Sequence, residues 1–419
     1  MARVLPTTTL SDAEVAGILG QALAASALDG KRVLVIIPDG TRTAPIALLF
    51  QLLQTQLGPH VARLDYLIAL GTHKPMRAEA IDRLLGMPEA ERLSRYPHTS
   101  VLNHRWDLPE TFATIGTIPA GETEQLTGGL LAAEVPITLN KLIFDYDHLV
   151  ICGPVFPHEV AGFSGGAKYF FPGIAGAEII NFTHWLGALV TSMDTIGVKD
   201  TPVRRVIHRA AEHIDRPVLL LALVLKGHNL HGFYAGPHAA TWSVAADLSA
   251  SLNIVTRPQP MRQVLAMALP IYEDLWTAAK AMYKTEPVVA DGGEVIIYAP
   301  HLSEVSYTHG ALIDQVGYHV RDYFTRQWER FQAVPGGILA HSTHVKGHGS
   351  YDAATGSEWP RIQVTLATAI PEQRCRRINL GYRDYRTIDP EAWRDREDEG
   401  LLLVERAGEL LYRIGKSHS

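Results

Sequence analysis

RVLVIIPDGTRTAPIALLFQLL, residues 32–53, decides the fold. Arg32 to Pro38 is an unbroken apolar run, the pattern of a strand covered on both faces. Asp39 to Thr43 is a polar loop, and Pro45 to Leu57 reads as a helix. The succession then repeats: Leu64 to Leu70 is a second apolar strand, Gly71 to Pro75 a second polar loop and Met76 to Leu85 a second helix. Strand followed by helix, taken twice, predicts a parallel α/β sheet. Upstream, Ser11 and Glu14 have the spacing of a capping box, and Val15, Ile18, Leu19, Ala22 and Leu23 recur at helical intervals until Gly30.

Downstream, Asp147 to Cys152 is a further buried strand, and it leads into a long glycine-rich loop, Pro157 to Gly176. Glu178 to Val190 and Val203 to Ile214 read as helices, Pro217 to Lys226 as a strand. Thr256 to Pro260 (TRPQP) is a proline-rich polar break, which divides the chain into an N-terminal domain, residues 1–256, and a C-terminal domain, residues 257–419. The second part alternates again: strands over Val264–Leu269 and Glu294–Ala299, a helix over Glu273–Met282, helices to about Phe331, and later strands over Arg361–Thr368 and Arg377–Leu380. The expected class is α/β, two domains with largely parallel or mixed sheets.

Composition narrows the function classes. With 419 residues, 47% of them hydrophobic and 20% charged, the chain can build large packed cores without staples. A net charge of -6 and the lack of any Lys/Arg block argue against nucleic acid as a partner. Cys152 and Cys375 are too few for a disulfide framework or a cysteine zinc site, which fits a reducing cytoplasm. No apolar run reaches the roughly 18 residues of a membrane span, and the opening MARVLPTTTLSDAEV has no signal-peptide core. A soluble cytoplasmic protein is the expectation.

Three polar clusters follow strands: Asp39-Gly40-Thr41-Arg42, Gly71-Thr72-His73-Lys74, and Pro157-His158 with the glycine loop. Open α/β sheets bind ligands beyond the carboxyl ends of their strands, so such loops can converge on one crevice; each taken singly is also an ordinary turn. In Gly162-Phe163-Ser164-Gly165-Gly166-Ala167-Lys168 the glycines can turn backbone N–H groups toward an anion. The spacing is not that of a P-loop, and Lys168 is either a surface charge on a tight turn or, if desolvated, a nucleophilic attachment point. His184 is a helix histidine or a metal ligand, without close partners in sequence to complete a shell. Trp276 and Lys280 share a helix face, most simply an exposed amphipathic one. His341, His344 and His348 crowd a segment near glycine; they are either metal ligands or, as loop histidines near glycine usually are, solvated. Asp145, Asp147 and His148 read as strand-entry polar residues.

In this order and spacing, the clusters resemble the lactate racemase family. Its Asp-x-Thr-Arg pattern appears as Asp39-Gly40-Thr41-Arg42 and its Gly-x-His segment as Gly71-Thr72-His73. The longest match is PHEVAGFSGGAKYFFPGIAGAEIINFTHW, residues 157–185, and Glu273 to Lys280 is similar to the family's C-terminal lysine helix. The resemblance implies a 2-hydroxyacid racemase or epimerase, an isomerase with its site in an interdomain cleft. It implies a nickel-pincer nucleotide tethered to Lys168, with His184 as the metal ligand. It casts His73 and His158 as the acid/base pair on opposite faces of the substrate, while the α-hydrogen moves as hydride to the cofactor and back. Arg42 would grip the substrate carboxylate, with Lys280 and Thr277 also facing the substrate. Asp39 and Thr41 would contact the cofactor or orient the loop; Ser164, Gly165, Gly166 and Trp276 would contact the cofactor, the Ser164-to-Gly166 backbone taking its phosphate.

One departure bears on the substrate: Trp276-Thr277 stands where characterised lactate racemases carry Tyr-Gln, so lactate, malate, aryl-lactates and sugar acids all stay open. The implied partners are the small 2-hydroxy acid and cofactor-synthesis proteins, with a homo-oligomer possible. Two other readings compete: a phosphate-handling transferase built on the glycine loop, and a non-catalytic binder or carrier of the cofactor.

Overall fold

The computed structural model describes residues 8–415, which form two units. The opening seven residues, part of the stretch read for a signal core, lie outside the described residues. The first unit takes the chain up to Phe156, Phe163–Ile180 and Arg204–Leu252; the second takes Pro157–Gly162, Asn181–Val203 and the chain from Asn253 on. A single boundary at residue 256 was expected. TRPQP is not a free linker, however, because Ile254–Arg257 is a strand paired in parallel with Leu411–Ile414.

The first unit opens with α1 (Asp12–Ala24), whose predicted capping box is present: Glu14 N–H donates to Ser11 Oγ at 3.3 Å and Ser11 N–H to Glu14 Oε2 at 2.8 Å. Then come β1 (Arg32–Pro38), α2 (Ile46–Gln56), β2 (Arg63–Ala69), α3 (Ala78–Leu85), β3 (Val101–Asn103), β4 (His148–Pro154), β5 (Val218–Lys226) and β6 (Asn229–Pro237). Later helices are α4 (Ala177–Val190), α5 (Pro202–Ala211) and α6 (His238–Asn253). The apolar run of β1 is explained by burial on both faces. Val33, Val35 and Ile37 pack with Leu19, Leu49, Phe50 and Leu53, and the alternate residues Leu34 and Ile36 are buried as well. Each such side chain contributes roughly 1.5–3 kcal/mol of hydrophobic stabilisation.

The sheet order is β6-β5-β4-β1-β2-β3, parallel except for β6, which runs antiparallel to β5. From β1 the chain winds outward through β2 and β3, then returns to place β4 on the other side of β1. This reversal is the topological switch point of a doubly wound sheet, where the loops after the two strands part and leave a crevice. The loop after β1 begins at Asp39, and β4 leads toward the glycine loop.

The second unit has a five-stranded, all-parallel sheet: β7 (Met261–Ala268), β8 (Val289–Ala299), β9 (Gln363–Thr368), β10 (Gly381–Tyr382) and β11 (Leu401–Ala407), in the order β10-β9-β8-β7-β11. Three readings of the sequence need correction here. Arg377–Leu380 is not a strand: α8 (Glu372–Arg377) ends there, and Asn379 takes the left-handed conformation (φ 64°) that stops a helix. Glu273–Met282 is not one helix but two four-residue turns, Leu275–Ala278 and Lys280–Tyr283. His341 and His344 do not lie in a solvated loop; they are buried on helix α7 (Gly336–Lys346).

Gly153 on β4 illustrates how tightly the first sheet meets the segment after it. A Cβ there would fall on the Tyr169 hydroxyl, whereas one at exposed Gly17 in α1 meets nothing within 4 Å. Gly153→Ala is expected to destabilise by about 1–3 kcal/mol and Gly17→Ala to stabilise by roughly 0.5–1 kcal/mol. Urea midpoints of the two variants check both signs.

Candidate functional site

In the first unit the site grows from the loop after β1. Asp39 is buried, and its Oδ1 accepts from Thr41 N–H at 3.0 Å and from Thr41 Oγ1 at 2.6 Å, closing the turn. Its Oδ2 lies 2.5 Å from His73 Nδ1. Burial pushes the Asp39 carboxyl up, but the charge and hydrogen bond of His73, with help from Arg42 and Thr41, overcome it and hold Asp39 well below the usual carboxylate range. An ionised carboxylate only accepts, so Nδ1 is the donor. The loop carrying His73 is tied down at three points. His73 N–H donates to Leu70 O at 2.9 Å, Gly71 N–H to Gly173 O at 2.9 Å, and Trp106 Nε1 to the His73 carbonyl at 2.7 Å. Gly173 N–H in turn donates to Lys168 O at 3.1 Å, so the turn bearing Lys168 is tied to the loop of His73. The switch point thus gathers Asp39, Thr41, Arg42, His73 and the Lys168 turn.

The glycine loop is locked from behind. Gly165 (φ 77°) and Gly166 (φ 59°) take left-handed conformations, and a Cβ on them would meet Val155 Cγ2 at 2.6 Å and the Trp242 ring at 2.9 Å. Trp242 Nε1 donates to Ser164 O at 2.8 Å. Arg204, fully buried, lies 4.2 Å over the Trp242 ring and donates to the carbonyls of Phe163 and Gly165. Ser164 itself is consumed structurally: its N–H donates to Phe156 O at 2.7 Å and its hydroxyl to Pro154 O at 3.1 Å. Of the predicted phosphate cradle, the backbone of Gly165 and Gly166 remains. Lys168 follows on a short 3-10 turn, half-buried.

In the second unit His158 is buried, and its Nδ1 accepts from Val160 N–H at 3.1 Å. Glu159 Oε2 lies 3.4 Å from the same nitrogen, but a nitrogen that accepts carries no proton to give a carboxylate, so the backbone bond is the operative one. His184, half-buried on α4, stands among histidines. Asn181 Oδ1 accepts from Gly337 N–H at 3.0 Å, and Gly336 leaves room for the Asn181 backbone, which draws α7 close to α4. Burial pushes His344 down to about 4, with Glu159 opposing and His184 assisting. Burial also depresses His341 strongly, and His344, His309 and His184 add to it. Trp276 is packed between two rings of this group, 4.5 Å from His309 and 4.1 Å from His341.

The exposed amphipathic helix considered for Trp276 and Lys280 is not what forms. Thr277 and Lys280 are buried, and the Lys280 amine lies 4.8 Å over the Tyr272 ring. Thr277 Oγ1 donates to Asp274 Oδ1 at 2.9 Å as part of the cap that starts the first turn, which turns its hydroxyl to the protein itself. Sequence reasoning passed over Arg204, Trp242, Trp106 and His309. Arg204 sits in VRRVIHR, where Arg205 and Arg209 share its type and only the fold distinguishes the buried one.

Among the described residues no group of three or more His, Cys, Asp or Glu could hold a metal ion, and no helix is long and apolar enough to cross a membrane. Residues 15–197 match the lactate racemase N-terminal domain. The lactate racemase of Thermoanaerobacterium thermosaccharolyticum is 25% identical over 273 residues, 64% of this chain and 60% of that protein. That of Lactiplantibacillus plantarum is 25% identical over 276 residues, with the same two coverages of 64% and 60%. The chain thus spans 60% of the length of these two relatives. A solved structure of a Thermotoga maritima protein is 32% identical, with a TM-score of 0.90 over 98% of this chain and 100% of that one. The lactate racemase apoprotein structure from Thermoanaerobacterium thermosaccharolyticum, at 19% identity, shares the fold, with a TM-score of 0.70 over 97% of this chain and 94% of that one.

The Asp39–His73 pair has a signature in stability. A carboxyl held below its unfolded value stabilises the fold fully above that value, and the contribution is lost as pH falls toward the folded one. The urea-unfolding difference between wild type and Asp39→Asn is expected to be constant from about pH 5 to pH 6 and to shrink below about pH 4. A difference that stays flat to pH 3 contradicts an ionised Asp39.

Proposed function

We propose that the chain, which matches the lactate racemase N-terminal domain over residues 15–197, inverts the α-carbon of a 2-hydroxy acid as a racemase or epimerase, using a nickel-pincer nucleotide tethered at Lys168. The observation that carries the reading is the Asp39–His73 pair on a loop bonded through Gly173 to the Lys168 turn, at the switch point of the first sheet. This is a proton-handling group, held in place, on a loop tied to the locked turn that bears a lysine.

The residues present fit such a cofactor. The left-handed glycines before Lys168 keep side chains away from the turn, leaving backbone for close approach. His184 offers one imidazole without a protein metal shell among the described residues, which suits a metal whose other donors come with the cofactor. The burial-depressed imidazoles of His341 and His344 stay neutral around it and do not repel a cation. When bound, the group would supply a hydride acceptor for the substrate α-carbon.

The remaining work falls to side chains. Arg42 would hold the substrate carboxylate through its planar fork. His73 and His158 would take and return the hydroxyl proton. Lys280 would add positive charge near the substrate oxygens, and Trp276, held by the His309 and His341 rings, would line the cofactor site. Thr41 and Asp39 act by shaping the loop and holding His73 rather than by touching the cofactor. With the Thr277 hydroxyl turned to Asp274, the position leaves room where Gln stands in characterised relatives, so a substrate larger than lactate is favoured. The partners follow as the 2-hydroxy acid and the proteins that make the cofactor. The transferase reading is weakened because Ser164 spends its N–H on Phe156.

Co-expression with cofactor-synthesis proteins is expected to give a mass adduct on Lys168 and inversion of at least one member of a chiral 2-hydroxyacid panel. Lys168→Ala should lose both. His158→Gln should keep the adduct and lose at least 10²-fold in turnover, the usual worth of a positioned acid/base group. Adduct-bearing protein that inverts no member of the panel contradicts the proposal.

A further inference from the structure

The two histidines are held by opposite kinds of partner. Asp39 Oδ2 faces His73 Nδ1 at 2.5 Å, and a carboxylate can only accept. His73 must carry its proton on Nδ1, which leaves the Nε2 lone pair free of that proton in the neutral ring. Val160 N–H faces His158 Nδ1 at 3.1 Å, and a backbone N–H can only donate. His158 must keep Nδ1 bare and carry its proton on Nε2. Both rings are placed so that these partners are built in: Asp39 is fixed by the Thr41 turn, and the Val160 amide lies two residues from His158 in a buried segment. The partner of a histidine's far nitrogen decides which tautomer the near nitrogen presents.

We propose that Asp39 and the Val160 amide preset the neutral rings of His73 and His158 in opposite tautomers, so that His73 presents a lone pair at Nε2 and His158 an N–H. This rests on the racemase reading for its use in turnover, but not for its proton positions. The two histidines are then unequal in the resting state. A substrate hydroxyl presented to His73 meets a base at once, whereas one presented to His158 meets a donor. For His158 to accept at Nε2, its proton must move to Nδ1, and the bond from Val160 must give way. Glu159 Oε2, 3.4 Å from that nitrogen, is the acceptor at hand for the shifted proton. Asp39 and Glu159 are therefore positioning residues of different standing: one is engaged at rest, the other only in the alternate tautomer.

Neutron diffraction of the deuterium-exchanged full chain at alkaline pD reads the proton positions with no cofactor and no turnover. Deuterium on His73 Nδ1 alone and on His158 Nε2 alone is the expected result. Deuterium on His73 Nε2, alone or together with Nδ1, or on His158 Nδ1, overturns the inference. In the cofactor-loaded protein, Asp39→Asn is expected to lower kcat by about 10³–10⁴-fold with KM little changed, the size of effect seen when an orienting carboxylate is replaced by an amide that permits the wrong tautomer. An Asp39→Asn protein that turns over as wild type does also overturns it. Inactive wild type with the expected proton positions removes the racemase reading and leaves the tautomer assignment standing.

Discussion

A hydrogen bond between His73 Nδ1 and the buried carboxylate of Asp39 is the interaction on which the rest of the site depends. It exists because β1 and β2 are neighbouring parallel strands, which brings the loops after them side by side. Those loops sit beside the place where the sheet reverses direction between β1 and β4. A buried carboxylate without a partner would be costly, and Asp39 meets that demand with two bonds to Thr41 and one to His73. The same contact that lets the carboxylate be buried fixes the ring and decides which of its nitrogens carries the proton.

The second constraint is rigidity of the loop after β4. Two left-handed glycines, a tryptophan ring filling the space beside them and a buried arginine holding the Phe163 and Gly165 carbonyls define a single backbone path toward Lys168. The arginine costs desolvation, and stacking on Trp242 together with two carbonyl acceptors offsets it. A loop of this composition would otherwise be mobile, since glycine gives up more conformational freedom on ordering than any other residue.

Much of the first sheet was legible in the sequence because the signal there is strong. β1 has the predicted bounds, the capping box forms, and β7, β8 and β9 of the second unit are found where apolar runs stand, while β10 and β11 were not read. What could not be read followed from ambiguity in short patterns. RINL alternates like a strand, but Asn379 in the left-handed conformation makes it a helix end. The histidines of α7 look like loop residues beside glycine, yet Gly336 lets the helix approach α4 and bury them. Of the site, Asp39, Arg42 and His73 were legible as a loop cluster, while the contact between Asp39 and His73, 34 residues apart, belongs to the tertiary fold. Arg204 and Trp242 carried no local signal, since an arginine in a basic amphipathic helix and a tryptophan in an apolar one are both commonplace.

The proposed function has the α-hydrogen leaving and returning as a hydride, with the chain's histidines handling only the hydroxyl proton. The direct measurement is inversion of a 2-hydroxy acid carrying deuterium at its α-carbon, run in ordinary water on cofactor-loaded protein. The account expects the inverted product to keep its deuterium. Product that has exchanged its α-deuterium for solvent hydrogen would contradict it, because the histidines would then be removing the α-proton itself.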